Sequence, residues 1–379
     1  MKTDTQCVHS GGYFDAATGG INTPIFTSSA YDYLNREEPP YPRYFNTVNQ
    51  DVVVKKICAL EAAENGVLFS SGMAAMSTAL LAFAGAGDHV ILMDELYGGT
   101  HAFATNAFAR LGIAHTFAET SVDAIAAAIN DRTRVIVIES PTNPLLTVID
   151  IGKVAELARA RGITTIIDNT FASPINQKPF ELGIDIVVHS GTKYLGGHSD
   201  LCCGVAVTSH TKTEKILHMA RYLGGSLDAT SCYLLERSIK TLALRVRQQT
   251  ANAGRLAAYL EANPKVGNVF YPGLEAAPGH AVAKAQMAGF GAMLSFELDA
   301  AQVHTDTFLH RLALIRPAVS LGGVETTICA PAVTSHAKMS PEERQRIGVT
   351  DALLRLSVGI EDSDDLISDL EQALEQSAG

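Results

Sequence analysis

The sequence predicts an α/β protein: a large domain with a mainly parallel sheet covered by helices, then a smaller C-terminal α+β domain. Three observations carry this. Apolar strand-like runs alternate with helical runs from Val67 to Thr208, the pattern of a parallel sheet covered on both faces. After Gly224-Gly225 the alternation stops, and a long helical stretch is followed by strands and helices in no regular order. The 379 residues, 47% of them hydrophobic, suffice for more than one core.

Taken in order, residues 1–50 show little periodicity and carry Gly11-Gly12, Gly19-Gly20 and Pro39-Pro40-Tyr41-Pro42. They read as an extended arm, which cannot bury itself and is expected to pack on a neighbouring subunit. Residues 51–238 are expected to form the large domain and 239–379 the small one, with the boundary inside a long helix. A helix over 52–64 leads to a strand at 67–69, the turn Ser70-Ser71-Gly72 and a helix from Met73. Strands at 89–93, 114–117 and 134–138 alternate with helices at 100–111, 122–129 and 151–161. Strands ending at Asp168 and near His189, and one more at 203–208, complete the sheet. A helix over 230–261 is stopped by Asn263-Pro264. Strands at 268–271, 292–298 and 353–358, with helices at 305–312 and from Asp364, make the small domain.

Composition excludes several functions. A net charge of −11 with no offsetting basic segment argues against nucleic acid, whose phosphates need clustered Lys and Arg. The six cysteines include no C-x-x-C pair, so neither a zinc knuckle nor a disulfide framework is expected, and no metal is invoked. Met1 to Ser10 lacks an apolar signal core. The most apolar stretch, 73–86, contains Ser77 and Thr78 and falls short of the ~20 residues of a membrane span. These features read as a cytoplasmic protein of reduced thiols that engages no membrane.

Two strand ends carry the chemistry. Residues 164–168 form an apolar strand ending in Asp168, and 186–188 form another that stops at Ser190-Gly191-Thr192, directly before Lys193. Alone, Lys193 reads first as a surface lysine beside a strand end and only second as an amine placed to form an imine, which burial activates by lowering its pKa. With Asp168 the pair suits pyridoxal phosphate, which needs a lysine for its aldehyde and a carboxylate for its ring nitrogen. Ser71-Gly72-Met73, between strand and helix, reads either as an ordinary helix cap or as a phosphate cradle. The competing nicotinamide reading fails, because Gly85-Ala86-Gly87 and Gly289-Phe290-Gly291 lack the third glycine and the strand–helix context. No phosphate-binding G-x-x-x-x-G-K-[ST] loop and no H-E-x-x-H zinc motif occur.

These positions fall in a series that spans nearly the whole chain: Tyr41-Pro42-Arg43, Phe69 to Met73, Tyr97-Gly98-Gly99-Thr100, Glu139 to Pro144, Asp168 to Phe171, His189 to Ser199, Ser320 to Thr326 and Leu354 to Gly359. In this the chain resembles the trans-sulfuration family of pyridoxal-phosphate enzymes, the group of cystathionine γ-lyase, cystathionine γ-synthase and methionine γ-lyase. The resemblance implies an aspartate-aminotransferase-like (fold type I) large domain with a seven-stranded-type sheet. It implies Lys193 as the lysine that bonds the cofactor aldehyde and moves protons, and Asp168 as partner of the ring nitrogen. Ser71, Gly72, Met73, Thr170, Ser190 and Thr192 are implied cofactor ligands, with Tyr97 stacking on the ring and exchanging protons. Arg355 is implied to grip the substrate carboxylate, with Asn143 and Ser320 nearby and Glu325 toward the distal end of the substrate. Tyr41 and Arg43 are implied to reach the cofactor phosphate of a neighbouring subunit, in a homotetramer built as a dimer of dimers.

The implied reaction is γ-elimination or γ-replacement on a small sulfur amino acid or homoserine ester. Cystathionine γ-lyase is the first expectation; cystathionine γ-synthase and methionine γ-lyase are the alternatives. A non-catalytic regulator on the same fold is a remote one, and it is disfavoured because no basic DNA-binding segment is present. Three departures from the family pattern stand out: Pro40 where relatives acting on cystathionine often carry an acid, Gly99 where methionine γ-lyases often carry cysteine, and Asn46-Thr47-Val48-Asn49 in place of Asn-Pro-Thr.

Overall fold

Short runs of Val, Ile and Leu, buried on both faces, can only be the middle of a covered sheet. The computed structural model, which describes residues 1–334, 342, 344 and 347–377, builds seven of them into one sheet. These are β1 (Asn65–Phe69), β2 (His89–Met93), β3 (Ala114–Ala118), β4 (Thr133–Glu139), β5 (Thr164–Asp168), β6 (Ile186–Ser190) and β7 (Gly204–Thr208). Their spatial order is β1-β7-β6-β5-β4-β2-β3, and only β7 runs against its neighbours. The covering helices are α1 (Thr3–His9), α2 (Val48–Glu61), α3 (Gly72–Phe83), α4 (Gly98–Ala107), α5 (Val122–Ala128), α6 (Ile151–Ala160), α7 (Ser173–Asn176), α8 (His210–Leu223) and α9 (Ala229–Ile239). This is the expected α/β architecture.

A second sheet follows the long helix α10 (Leu242–Glu261). It comprises β8 (Val266–Phe270), β9 (Met293–Leu298), β10 (Arg316–Pro317), β11 (Thr327–Cys329) and β12 (Leu353–Ser357), in the order β10-β11-β12-β9-β8. Helices α11 (His280–Gln286), α12 (Thr305–Arg311) and α13 (Ser363–Gln376) accompany it. Helix α10 serves both cores: Leu242, Ala243 and Val246 join the first, and Ala253, Leu256, Ala257 and Leu260 the second.

Four details differ from expectation. The arm is not wholly extended, because α1 is pinned by Lys56, whose buried ammonium donates to the carbonyls of Cys7 (3.1 Å) and Val8 (3.2 Å). Helix α2 starts at Val48 instead of residue 52: the Gln50 side chain accepts from the Thr47 amide at 3.1 Å, a capping arrangement that extends the helix backwards. The single helix expected over 230–261 is two, broken at Lys240-Thr241. Helix α8 was not anticipated, since its mostly polar surface buries only Thr213, Ile216 and Ala220. Strands β10 and β11 and helix α11 are too short to leave a periodic trace.

Candidate active site

Strands β5 and β6 lie side by side and parallel, and each delivers a polar residue at its C-terminal end, where open α/β sheets bind ligands. β5 ends in Asp168. After β6, a turn through Gly191 and Thr192 presents Lys193, and Gly191 must be small because a Cβ there would stand 2.4 Å from Cys203 Sγ. Beside them begins α3, whose first amides have no partner within the helix and point toward an anion's natural place. A Cβ on Gly72 would come within 2.8 Å of Ser190 Cβ, so glycine lets the helix end close on the strand end. Ser71 caps its own helix, Oγ accepting from the Ala74 amide at 3.1 Å, which leaves an anion the amides of Gly72 and Met73. The Thr170 hydroxyl accepts from the Ser190 amide (2.8 Å), and Thr192 Oγ1 accepts from Cys203 N (3.0 Å), so the hydroxyls of this corner are held in place.

The opposite wall comes from the second sheet. Arg355 lies in β12, between Ser295 of β9 and Cys329 of β11. Its Nη1 donates to Asn143 Oδ1 at 2.8 Å and its Nη2 to the Ser320 carbonyl at 3.4 Å, while Nε is buried without a partner. Ser320 takes a left-handed φ of 77°, a conformation that serine adopts at a cost. Its Oγ accepts from Lys193 Nζ at 2.7 Å, joining the two walls. Between them lies a cavity of about 440 Å³, within the usual range for a cofactor site. Tyr97 stands at its edge, half exposed, its amide donating to Glu139 Oε2 at 2.8 Å.

Burial sets the charges. Desolvation raises the Asp168 carboxyl, opposed by hydrogen bonds from Thr170 and then by His189 and Lys193. Desolvation lowers the Lys193 amine, and Arg355 lowers it further. Glu139 is register partner of Asp168 on β4; burial pushes it well above the carboxylate range, and Asp168 pushes in the same direction. Two buried acids side by side resist ionising together, and a cation placed beside Asp168 would favour its charged form. A buried acid at a strand end, an amine whose pKa burial lowers and an open helix end fit the ring nitrogen, aldehyde and phosphate of pyridoxal phosphate in turn.

Ser71, Gly72, Met73, Tyr97, Asn143, Asp168, Thr170, Ser190, Thr192, Lys193, Ser320 and Arg355 all line this cavity. Tyr41 and Arg43 do not: the Arg43 guanidinium lies over the rings of Tyr41 (5.5 Å) and Tyr44 (5.2 Å) and donates to the Arg221 carbonyl. Glu325 is also outside. It is exposed, on the outer side of Gly323, where an added Cβ would meet Glu325 Oε2 at 2.9 Å and Ser199 Oγ at 2.7 Å. Sequence reasoning missed Glu139, Cys202, Val319 and Cys329 on the lining. Glu139 had a signal, since it ends the strand that pairs with β5; the cysteines and Val319 had none.

A sheet that presents an acid and a lysine at adjacent strand ends, faced across a cavity by a buried guanidinium, fits a cofactor-dependent enzyme of amino-acid chemistry. The family of Cys/Met metabolism PLP-dependent enzymes matches residues 4–375, and the chain belongs to it. Its cofactor is pyridoxal phosphate, and it is a lyase or transferase of the trans-sulfuration type. It is 43% identical to a cystathionine gamma-lyase of Bacillus subtilis over 99% of this chain and 100% of that one. It is 41% identical to a cystathionine beta-lyase of Lactococcus lactis over 98% of each. The crystal structure of a Lactobacillus plantarum cystathionine gamma-lyase complexed with L-serine superposes with a TM-score of 0.96 at 40% identity, covering all of both chains. Among the described residues no helix is long and apolar enough to cross a membrane.

Proposed function

We propose that the protein is a cystathionine γ-lyase, cleaving cystathionine and one water to cysteine, 2-oxobutanoate and ammonia. The observation that carries this is the meeting of Lys193 Nζ and Ser320 Oγ at 2.7 Å beneath Arg355, a base and a carboxylate grip at one cavity. Bound at Lys193, the cofactor supplies an electron sink that stabilises negative charge on the substrate. Asp168 would pair with the ring nitrogen and favour a proton there. Arg355 would grip the substrate carboxylate and fix the Cα–H bond toward Lys193. The Lys193 amine, released when the substrate amine takes its place and lowered in pKa by burial, would take that proton, pass it on and then take one from Cβ, so that the Cγ–S bond can break. Tyr97, at the cavity edge, hands a proton to the departing thiol.

Gly99 supports cystathionine over methionine. A Cβ at this position would stand 2.4 Å from Tyr97 Cε1, so a cysteine here and this orientation of the ring exclude one another. A second reading, β-elimination, is favoured by the 41% relative, and cystathionine γ-synthase remains the transferase alternative. A substrate panel separates them: cystathionine, methionine, homocysteine, cysteine, and O-succinyl- and O-acetylhomoserine with and without cysteine. Release of 2-oxobutanoate from cystathionine supports the proposal. Release of pyruvate and homocysteine gives the β-lyase, and cystathionine made from an ester and cysteine gives the synthase.

We also propose that each site is shared, with Tyr41 and Arg43 reaching the phosphate held by a neighbouring chain in a dimer of dimers. Phe14, Ile21, Tyr33 and Leu34 of the arm are more than two-thirds exposed, an apolar surface suited to burial against a second copy. Lys193→Ala and Arg43→Ala are each expected to be inactive, and refolding them together should restore activity, because hybrids concentrate both lesions in one site. No recovery despite proven subunit exchange rules out sharing.

A further inference from the structure

Helix α10 carries three polar side chains that the chemistry above does not use. Arg245, Gln249 and Asn252 recur at the spacing of one helix face, and all are at least nine-tenths buried. Apart from Arg245 Nε, which donates to the Thr241 hydroxyl at 3.2 Å, the hydrogen bonds they donate outside α10 go to backbone carbonyls of the loops and of the last turn of α9. Arg245 donates to Tyr194 O (2.8 Å), directly after Lys193, and to Ser238 O (3.0 Å), in the last turn of α9. Gln249 donates to Gly323 O at 2.7 Å, in the loop that carries Ser320. Asn252 donates to Gly359 O (3.1 Å) and Glu361 O (2.8 Å), just beyond the strand of Arg355. The loops are also tied to one another, Val324 N donating to Gly197 O (3.0 Å) and Ile360 N to Val324 O (2.9 Å).

This polar edge is costly. Arg245 has no carboxylate partner among the described residues, and Gln249 Oε1 is buried without any partner. Apolar residues would be cheaper to bury at a helix face joining two apolar cores. What the polar side chains provide is register: carbonyls from both domains are fixed to one rigid rod. Gly197 is as close as a residue can be, since a Cβ on it would overlap Arg245 Nη1.

We propose that Arg245, Gln249 and Asn252 are positioning residues, a buried ladder on α10 that sets the loops of Lys193, Ser320 and Arg355 at fixed spacing across the two domains. None of the three lines the cavity. The functional part rests on the roles proposed above for Lys193 and Arg355; the geometric part does not.

The test uses the holoenzyme and two conservative variants. Gln249→Met keeps size and removes the bond to Gly323; Arg245→Lys keeps charge and removes the fork. Amide hydrogen exchange is followed by mass spectrometry over 193–199, 320–326 and the two sheets. KM, kcat and retention of pyridoxal phosphate on dilution are measured alongside. Gln249→Met is expected to speed exchange over 320–326 and raise KM about tenfold, the worth of one buried hydrogen bond, with cofactor retention unchanged. Arg245→Lys is expected to speed exchange over 193–199 and weaken cofactor retention about tenfold. Loop exchange like that of the wild type, or a uniform rise through loops and sheets alike, overturns the ladder. Faster loop exchange with KM and retention unchanged leaves the ladder as a structural tie only and overturns its positioning role. Should Arg245→Lys not fold, Gln249→Met decides alone.

Discussion

The two walls of the cavity are built on different principles. On the large-sheet side, Asp168 and Lys193 come from the ends of adjacent parallel strands whose central residues, Ile166, Ile167 and Val187, are fully buried. Their spacing is fixed by the sheet ladder itself. On the small-sheet side, Ser320 hangs in a loop with a left-handed backbone, and Arg355 is held by Asn143, a residue of the other wall. Ser295 of β9 likewise donates across, to the Pro144 carbonyl at 2.7 Å. The first wall is rigid by its own fold; the second is positioned by what it touches. Lesions in the first should therefore abolish chemistry, and lesions in the second should loosen substrate.

The largest effect is expected at Lys193. Lys193→Ala should lower turnover at least about 10³-fold, the scale of a lost base and nucleophile. In the wild type, borohydride reduction and peptide mapping should place the pyridoxyl group on Lys193, and a label on any other lysine breaks the comparison at its root.

Next comes Arg355→Ala, expected to weaken substrate binding by about 2–5 kcal/mol, as for one partner of a buried charge pair. The change should appear in KM, with cofactor binding preserved. Loss of cofactor instead would mean that the two walls are not separable.

A smaller effect concerns pH. An acid whose pKa is raised by folding adds stability that is full below its unfolded pKa and is lost as pH rises toward the folded one. Glu139 is raised by burial and by Asp168, so wild-type stability should fall with rising pH above the ordinary carboxylate range. Glu139→Gln should remove that slope, at most about 1.4 kcal/mol per pH unit for one proton. Denaturation at several pH values between about 5 and 8 checks this. Parallel stability curves for the two proteins would show that folding does not raise the Glu139 carboxyl.

The smallest effect is expected at Glu325, which is exposed and off the cavity lining. Glu325→Ala should reduce kcat/KM for cystathionine more than for methionine, by about 1 kcal/mol or less for a solvated charge. Equal losses for both substrates would make Glu325 structural and remove the small wall's part in selecting the distal ammonium.

The sequence by itself determined the large wall. Asp168 and Lys193 follow apolar runs that can only be buried strands, so their placement at strand ends is a local consequence of periodicity and turn residues. The same holds for α3 and its Ser71-Gly72 start. Only the tertiary structure decided the rest. That Glu139 opposes Asp168 depends on which strands pair, and that Ser320 reaches Lys193, 127 residues away in sequence, depends on how two domains pack. The exclusion of Glu325 turns on the direction of one loop. The buried polar face of α10 was unreadable for the same reason: Arg245, Gln249 and Asn252 look like an ordinary solvated helix face until the loops that cover them are in place.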